Sequence, residues 1–354
     1  MSRVIIFTLF VAVILLSDEV TAQPANTYSE SSSYARRVFP VVQGKTEKDK
    51  RKVADKSAAL LTPGSVASAG ETMTVPVMVY SSTSAFVSGL RSTDFKAFID
   101  ESEVEVVSVE TKSDSLTIVL VLDMSPSANE QIEAVKAMAT RIVDRLRPID
   151  KVMVVGFSSN MKVSSEPTSD RKLIAKAIDR LSMNDGTSIY NTVAELFEKR
   201  LNLIADVAAL VILTDGVDTT SRKASYESSL IAAEKGNVPV FPIYLDTFVP
   251  QGKNAAPLNS LFPPVQMIGK EEYEKGRLYL TDLIRLSGGR AIFAGEVLSG
   301  KSKALDNLSS DLVSRYYVTF KLSKLDKATN AKKLKIRVNS PNLTVLAKGS
   351  YIAR

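Results

Sequence analysis

Between residues 116 and 245 the chain repeats one alternation: a short apolar run, then a stretch with helical spacing. The runs are Leu116 to Leu122, KVMVVGF (151–157), VAALVILT (207–214) and VPVFPIYL (238–245). Between them, Ile132, Val135, Ala139, Ile142 and Leu146 mark one helix face, and Leu173, Ala177 and Leu181 mark another. Further helices are expected over about Ser188 to Leu201 and in the polar stretch before 238. LTDLIRLSGG ends a helix on its glycines, RAIFA reads as a short strand, and a last helix covers about Lys301 to Ser314. A strand that is apolar at nearly every position has no solvent face. Such strands alternating with helices predict an α/β fold over 116–313, with a doubly wound, mostly parallel sheet covered on both sides. Sheets of this kind place ligands beyond the carboxyl ends of their strands.

The flanks read differently. From residue 69 to 115, TMTVPVMVY and the segment SGLRSTDFKAFIDESEVEVVSVET form short strand-like runs broken by turn residues. From 314 to 354, RYYVTFKL, KKLKIRVN and LTVLAKGSYI do the same. Neither group can bury much core alone. They are therefore expected to pack together as a small β domain that flanks the α/β domain or into which it is inserted; two separate β patches are the alternative. Residues 23–68 are rich in Ser, Lys, Glu and Ala without a lasting period, and are expected to be a disordered linker.

Residues 1–22 read as a secretory signal, with Arg3, an apolar run from Val4 to Leu16, and Val20-Thr21-Ala22 before Gln23. That run is shorter than the roughly 20 residues a spanning helix needs, and no later apolar segment approaches that length. The mature chain is expected to be secreted or periplasmic, extracytoplasmic in either case, with no membrane span after signal cleavage. A retained N-terminal anchor is the alternative.

Composition narrows the chemistry. The chain has 45% hydrophobic and 24% charged residues, with no cysteine and no histidine. Disulfides, thiolate or imidazole metal sites and a Ser-His-Asp triad are excluded. Any metal must be held by oxygen, which favours magnesium, calcium or manganese. Net charge is +6, partly from KTEKDKRKVADK (45–56). No aromatic residue interleaves with that run, so it reads as solvated linker, and no nucleic-acid partner is expected.

Three stretches at the predicted carboxyl edge carry a common chemistry: Asp123-Met124-Ser125-Pro126-Ser127, Thr187 in NDGTSIYNT, and Asp215 in VILTDGVD. Two carboxylates and three hydroxyls form a hard-oxygen set suited to Mg²⁺ or Ca²⁺. Hydroxyls neutralise no charge, so a bound cation keeps positive character for an external carboxylate. A simpler reading has Ser127 capping a helix and Asp215 turning with Gly216, and both can hold alongside a metal site. Asp185 and Asp218 lie nearby, as tuning charges or as solvated loop positions.

These residues resemble the metal-ion-dependent adhesion site of von Willebrand factor type A (VWA) domains, whose pattern is Asp-x-Ser-x-Ser, a distant Thr and a distant Asp. The matching positions are Asp123, Ser125, Ser127, Thr187 and Asp215. The flanking segments resemble a narrower group, the secreted acidobacterial VWFA-related proteins. The resemblance implies that the two Ser and the Thr bind the ion directly, that the Asp pair acts directly or through water, and that an acidic residue of a protein ligand completes the shell. Pro126 departs from the family, which often has Gly there; proline lacks an N–H and fixes φ, which bears on how Ser127 is presented.

An enzyme is not expected. GFSSN (156–160) lacks the closing Gly of a nucleophile elbow and there is no His to activate Ser158. VLDMS has Ser125 where an aspartate-nucleophile phosphatase needs a second acid. The loop 247–276, with Leu258, Leu261 and Phe262, is long enough to pack on the body or meet a partner. The expected function is a secreted adhesion or interaction module that binds a protein or other acidic ligand through Mg²⁺ (or Mn²⁺ or Ca²⁺). A metal-independent envelope scaffold and a metal-dependent hydrolase are the alternatives.

Overall fold

An all-apolar strand belongs in the middle of a sheet, and Thr117–Asp123 is buried at every residue. In the computed structural model it is an inner strand of a six-stranded sheet. The structure describes residues 72–83, 85–111, 114–125, 132–245, 247, 268–295, 304–322 and 331–351, all within one compact unit, Gly64–Arg354. The expected signal (1–22), the expected linker (23–68), Pro126, Ser127, Leu258, Leu261 and Phe262 lie outside the described residues.

In chain order the strands and helices are β1 (Thr72–Tyr80), β2 (Phe95–Ile99), β3 (Ser102–Val104), β4 (Val106–Thr111), β5 (Thr117–Asp123), α1 (Ile132–Asp144), β6 (Lys151–Phe157), β7 (Met161–Thr168), α2 (Arg171–Asp179), α3 (Ile189–Glu195), β8 (Val207–Thr214), α4 (Tyr226–Lys235), β9 (Val240–Tyr244), α5 (Lys270–Ser287), β10 (Ile292–Phe293), α6 (Ala304–Val313), β11 (Tyr316–Lys321), β12 (Lys332–Val338), β13 (Thr344–Leu346) and β14 (Ser350–Tyr351).

The central sheet runs β10-β9-β8-β5-β6-β7, parallel except for the antiparallel β6–β7 pair. Alternate residues of β5 serve its two faces. Ile118, Leu120 and Leu122 join Val135, Ala139 and Ile142 of α1, Ile174 and Ile178 of α2, and Leu308 and Leu312 of α6. Val119 and Val121 join Ile189 and Val193 of α3, Ala233 of α4, and Tyr279 and Leu283 of α5. This is a doubly wound α/β fold.

Three expectations change. Strand β7 was not foreseen: MKVSSEPT is polar because it is an antiparallel edge strand whose residues are only partly covered. Leu173 is 52% exposed and its neighbour Ile174 is buried in its place, with Ile178, while Ala177 and Leu181 of the face read in the sequence are buried. Residues 270–276, read as loop, form the first turns of α5.

The flanking strands build two four-stranded antiparallel sheets, β13-β1-β11-β4 and β14-β12-β2-β3. Each combines strands from before and after the α/β domain, alternating them in the first sheet. Their shared core holds Val75, Val77, Val79, Phe95, Ala97, Ile99, Val318, Phe320, Leu334 and Ile336. Strand β1 works on both sides: Met78 and Tyr80 belong to the core of the α/β domain instead. Two buried polar groups reinforce the junction. Tyr80 donates to Asp311 Oδ1 of α6 at 2.5 Å, and Arg290 Nε donates to Asp311 Oδ2 at 2.6 Å. Lys348, 2% exposed, donates from Nζ to the carbonyls of Glu234 (2.7 Å) and Gly236 (2.9 Å), satisfying acceptors at the end of α4 that the helix itself leaves open. No helix among the described residues is long and apolar enough to cross a membrane.

Burial holds the Asp311 carboxyl above its ordinary range, against the hydrogen bond from Tyr80 and the nearby arginines. Tyr80→Phe removes one of the donors to a buried carboxylate. A stability loss of about 1–3 kcal/mol is expected, measured by urea unfolding; an unchanged midpoint would show that the bond does not hold the two layers together.

Candidate functional site

The central strands are parallel, so their carboxyl ends meet at one edge. Asp123 is the last residue of β5 and lies beside Phe157 of β6, while Leu122 lies beside Leu213 of β8. Asp215 follows β8 directly. Both carboxylates are 1% exposed, Ser125 is fully buried, and Thr187 is 2% exposed.

Each carboxylate is held from two sides. Asp123 Oδ1 accepts from the Ser125 N–H at 3.0 Å, and Oδ2 accepts from Thr214 Oγ1 at 2.7 Å. Asp215 Oδ1 accepts from the Val217 N–H at 3.0 Å, and Oδ2 accepts from Thr247 Oγ1 at 2.6 Å. Backbone bonds lace the loops together. Met124 N–H donates to Phe157 O (2.7 Å), Asn184 N–H to Met124 O (3.1 Å), and Thr219 and Thr220 N–H to Thr187 O (2.8 and 3.0 Å). The Thr187 N–H in turn donates to Thr219 Oγ1 at 2.9 Å. Asp218 accepts from the Tyr190 and Ser221 N–H groups, each at 3.0 Å, so it organises the loop.

Asp123, at the end of β5, and Ser125, Thr187 and Asp215, on loops, thus belong to segments that these hydrogen bonds join at one edge. Ser127, the fifth residue of the motif, is outside the described residues. Sequence reasoning missed Thr214, Thr247, Thr219 and Gly276. Thr214 stands next to Asp215 in the T-D-G motif and was legible there. Gly276 carried no signal, since its partner is a backbone far away in sequence. Gly216 has φ +81°, and a Cβ on Gly276 would stand 2.7 Å from Gly216 C. Helix α5 therefore presses its backbone directly against the turn that presents Asp215.

The electrostatics are those of a crowded acidic pair. Burial first, and the charge of Asp215 second, push the Asp123 carboxyl up to about 7, against the hydrogen bonds from Ser125 and Thr214. Among the described residues no cluster of three or more acidic, His or Cys side chains forms. The set is two carboxylates with hydroxyls, a low-charge, hard-oxygen arrangement.

Residues 118–217 match the family model of the von Willebrand factor type A domain. An uncharacterised protein of Synechocystis sp. is 33% identical over 120 residues, covering 31% of this chain and 29% of that relative. The chain thus spans about three tenths of the length of that curated relative. Among solved structures, BatB from Bacteroides thetaiotaomicron superposes with a TM-score of 0.42 at 20% identity, over 56% of this chain and all of that one. A von Willebrand factor type A protein from Catenulispora acidiphila gives 0.40 at 10% identity, over 81% and 75% of the two chains.

Two outcomes are expected for the metal-free protein. An Asp carboxyl that titrates near 7 when folded, but near ~4 when unfolded, binds its proton more tightly in the native state. Its contribution to stability is full below ~4 and is lost as pH rises through about 7. In EDTA, stability should therefore fall between about pH 4 and 7, and Asp123→Asn should flatten that slope; a slope unchanged in the variant would place the titration elsewhere. Gly276→Ala should cost about 1–3 kcal/mol by overpacking, whereas Gly269→Ala, with nothing within 4 Å, should cost only the smaller N-cap preference of Gly over Ala in the same unfolding assay.

Proposed function

We propose that the chain is a secreted interaction module that binds a divalent cation at this edge, Mg²⁺ first, with Mn²⁺ or Ca²⁺ as alternatives. In this reading Ser125, Ser127 and Thr187 supply hydroxyl oxygens, and Asp123 and Asp215 supply the balancing charge. The cation keeps a position for a carboxylate of a protein ligand, and its chemistry is Lewis-acid recognition. The role is binding rather than turnover.

One observation carries the reading: Asp123 and Asp215 are buried together and repel, while only neutral donors hold the Asp123 carboxylate. A divalent ion relieves that repulsion and displaces the proton from Asp123. The hard-oxygen donor set fits such an ion. The class of domain supports an interaction role, and residues 1–22 support secretion.

The test is a melting series on EDTA-treated, dialysed protein. At a hundredfold excess over Kd, Mg²⁺ should add about 2.7 kcal/mol of stability, with a raised Tm. Ser125→Ala and Asp215→Asn should abolish the shift. A wild-type Tm indifferent to millimolar Mg²⁺, Mn²⁺ and Ca²⁺ would sink the cation reading.

A further inference from the structure

Beside Met124 the surface opens into a cleft of about 220 Å³, walled by the turn between β6 and β7, the end of α2 and residues 181–184. Its polar lining includes Ser158, Asn160, Lys162, Arg180 and Asn184, and no acidic side chain. Ser158 is only 6% exposed. Its N–H donates to Asn160 O, and its carbonyl accepts from both the N–H and the hydroxyl of Ser188. Its own hydroxyl has no hydrogen-bond partner among the described residues. The Lys162 ammonium and the Arg180 guanidinium likewise make no ion pair or hydrogen bond there. By contrast, the neighbouring Lys136 is engaged by Glu133 and by the Asp179 carbonyl.

The cleft is joined to the site already described. The Asn184 N–H donates to Met124 O at 3.1 Å, and Met124 separates Asp123 from Ser125. Two unpaired cations beside a cation site oppose metal binding by simple repulsion. An anion seated between them removes that cost and gains charge-assisted hydrogen bonds, with a planar fork offered by Arg180. We propose that this cleft receives a second carboxylate of the same acidic ligand, so that the recognised class is a protein segment with two neighbouring acidic side chains. The proposal rests on the cation reading above. One carboxylate meets the cation, the other meets Ser158, Lys162 and Arg180, and by linkage each strengthens the other.

The probes are dicarboxylates from succinate to suberate, with butyrate as the single-acid reference, titrated into the full chain in Mg²⁺ and followed by backbone amide NMR. At least one dicarboxylate should bind about tenfold tighter than butyrate, the equivalent of one good charge-assisted contact. It should shift the Ser158, Asn160 and Asn184 amides together with Ser125. In the Lys162→Ala/Arg180→Ala double variant the advantage should vanish while the Mg²⁺ melting shift persists; both side chains are exposed, so the fold should tolerate the change. Mg²⁺-dependent shifts at Ser125 with silent cleft amides would overturn the cleft proposal and leave the cation reading standing. So would a dicarboxylate advantage that survives in the double variant. No Mg²⁺-dependent shift at Ser125 with any acid would overturn both.

Discussion

Parallel pairing of β5 with β6 on one side and β8 on the other is the constraint from which the rest follows. Antiparallel neighbours would send their ends in opposite directions. Parallel ones bring every carboxyl end to one edge, so Asp123 and Asp215, far apart in sequence, share one buried space. The hydrogen bonds from Thr214 to Asp123 and from Thr247 to Asp215 are consequences of that meeting. So are the burial and, second to it, the repulsion from Asp215 that lift the Asp123 carboxyl. The strands are apolar throughout because both faces are covered, and the polar chemistry is confined to the point where they stop.

The second organising feature is β1. Its odd residues pack in the sandwich and its last even residues pack in the α/β domain. The two layers therefore share one strand. Tyr80 with Asp311 on α6, and Lys348 with the end of α4, add polar ties at separate places. The α/β domain is clamped at more than one point by the strands that precede and follow it.

What was legible in the sequence tracks how much solvent each element sees. The runs at 117–123, 151–157 and 207–214 announced themselves because they are buried on both faces. Strand β7 did not, because an edge strand with partly exposed residues has no apolar signature. Leu173 misled because Ile174 beside it is equally apolar, and spacing alone does not say which of the two faces inward. At the site, Asp123, Ser125, Thr187 and Asp215 were readable as a pattern of residue types. Thr247 and Gly276 were not: one lies in a loop with no periodicity, and the other acts by lacking a side chain where α5 touches the Gly216 turn.

The sandwich, built from strands before and after the α/β domain, also sets an order of assembly. Strand β1 pairs residue 72 with 321, and β4 pairs residue 111 with 316. During synthesis from the N-terminus, β1 to β4 emerge with their apolar faces made but their partners β11 and β12 unwritten. The α/β domain can condense from contacts between nearer elements; the sandwich, being of high contact order, must close afterwards. Until then, unpaired strand edges stay exposed to neighbouring chains. The arrangement that brackets the α/β domain thus makes the flanking strands the last to close, and the interval before closure is the period of greatest exposure to aggregation.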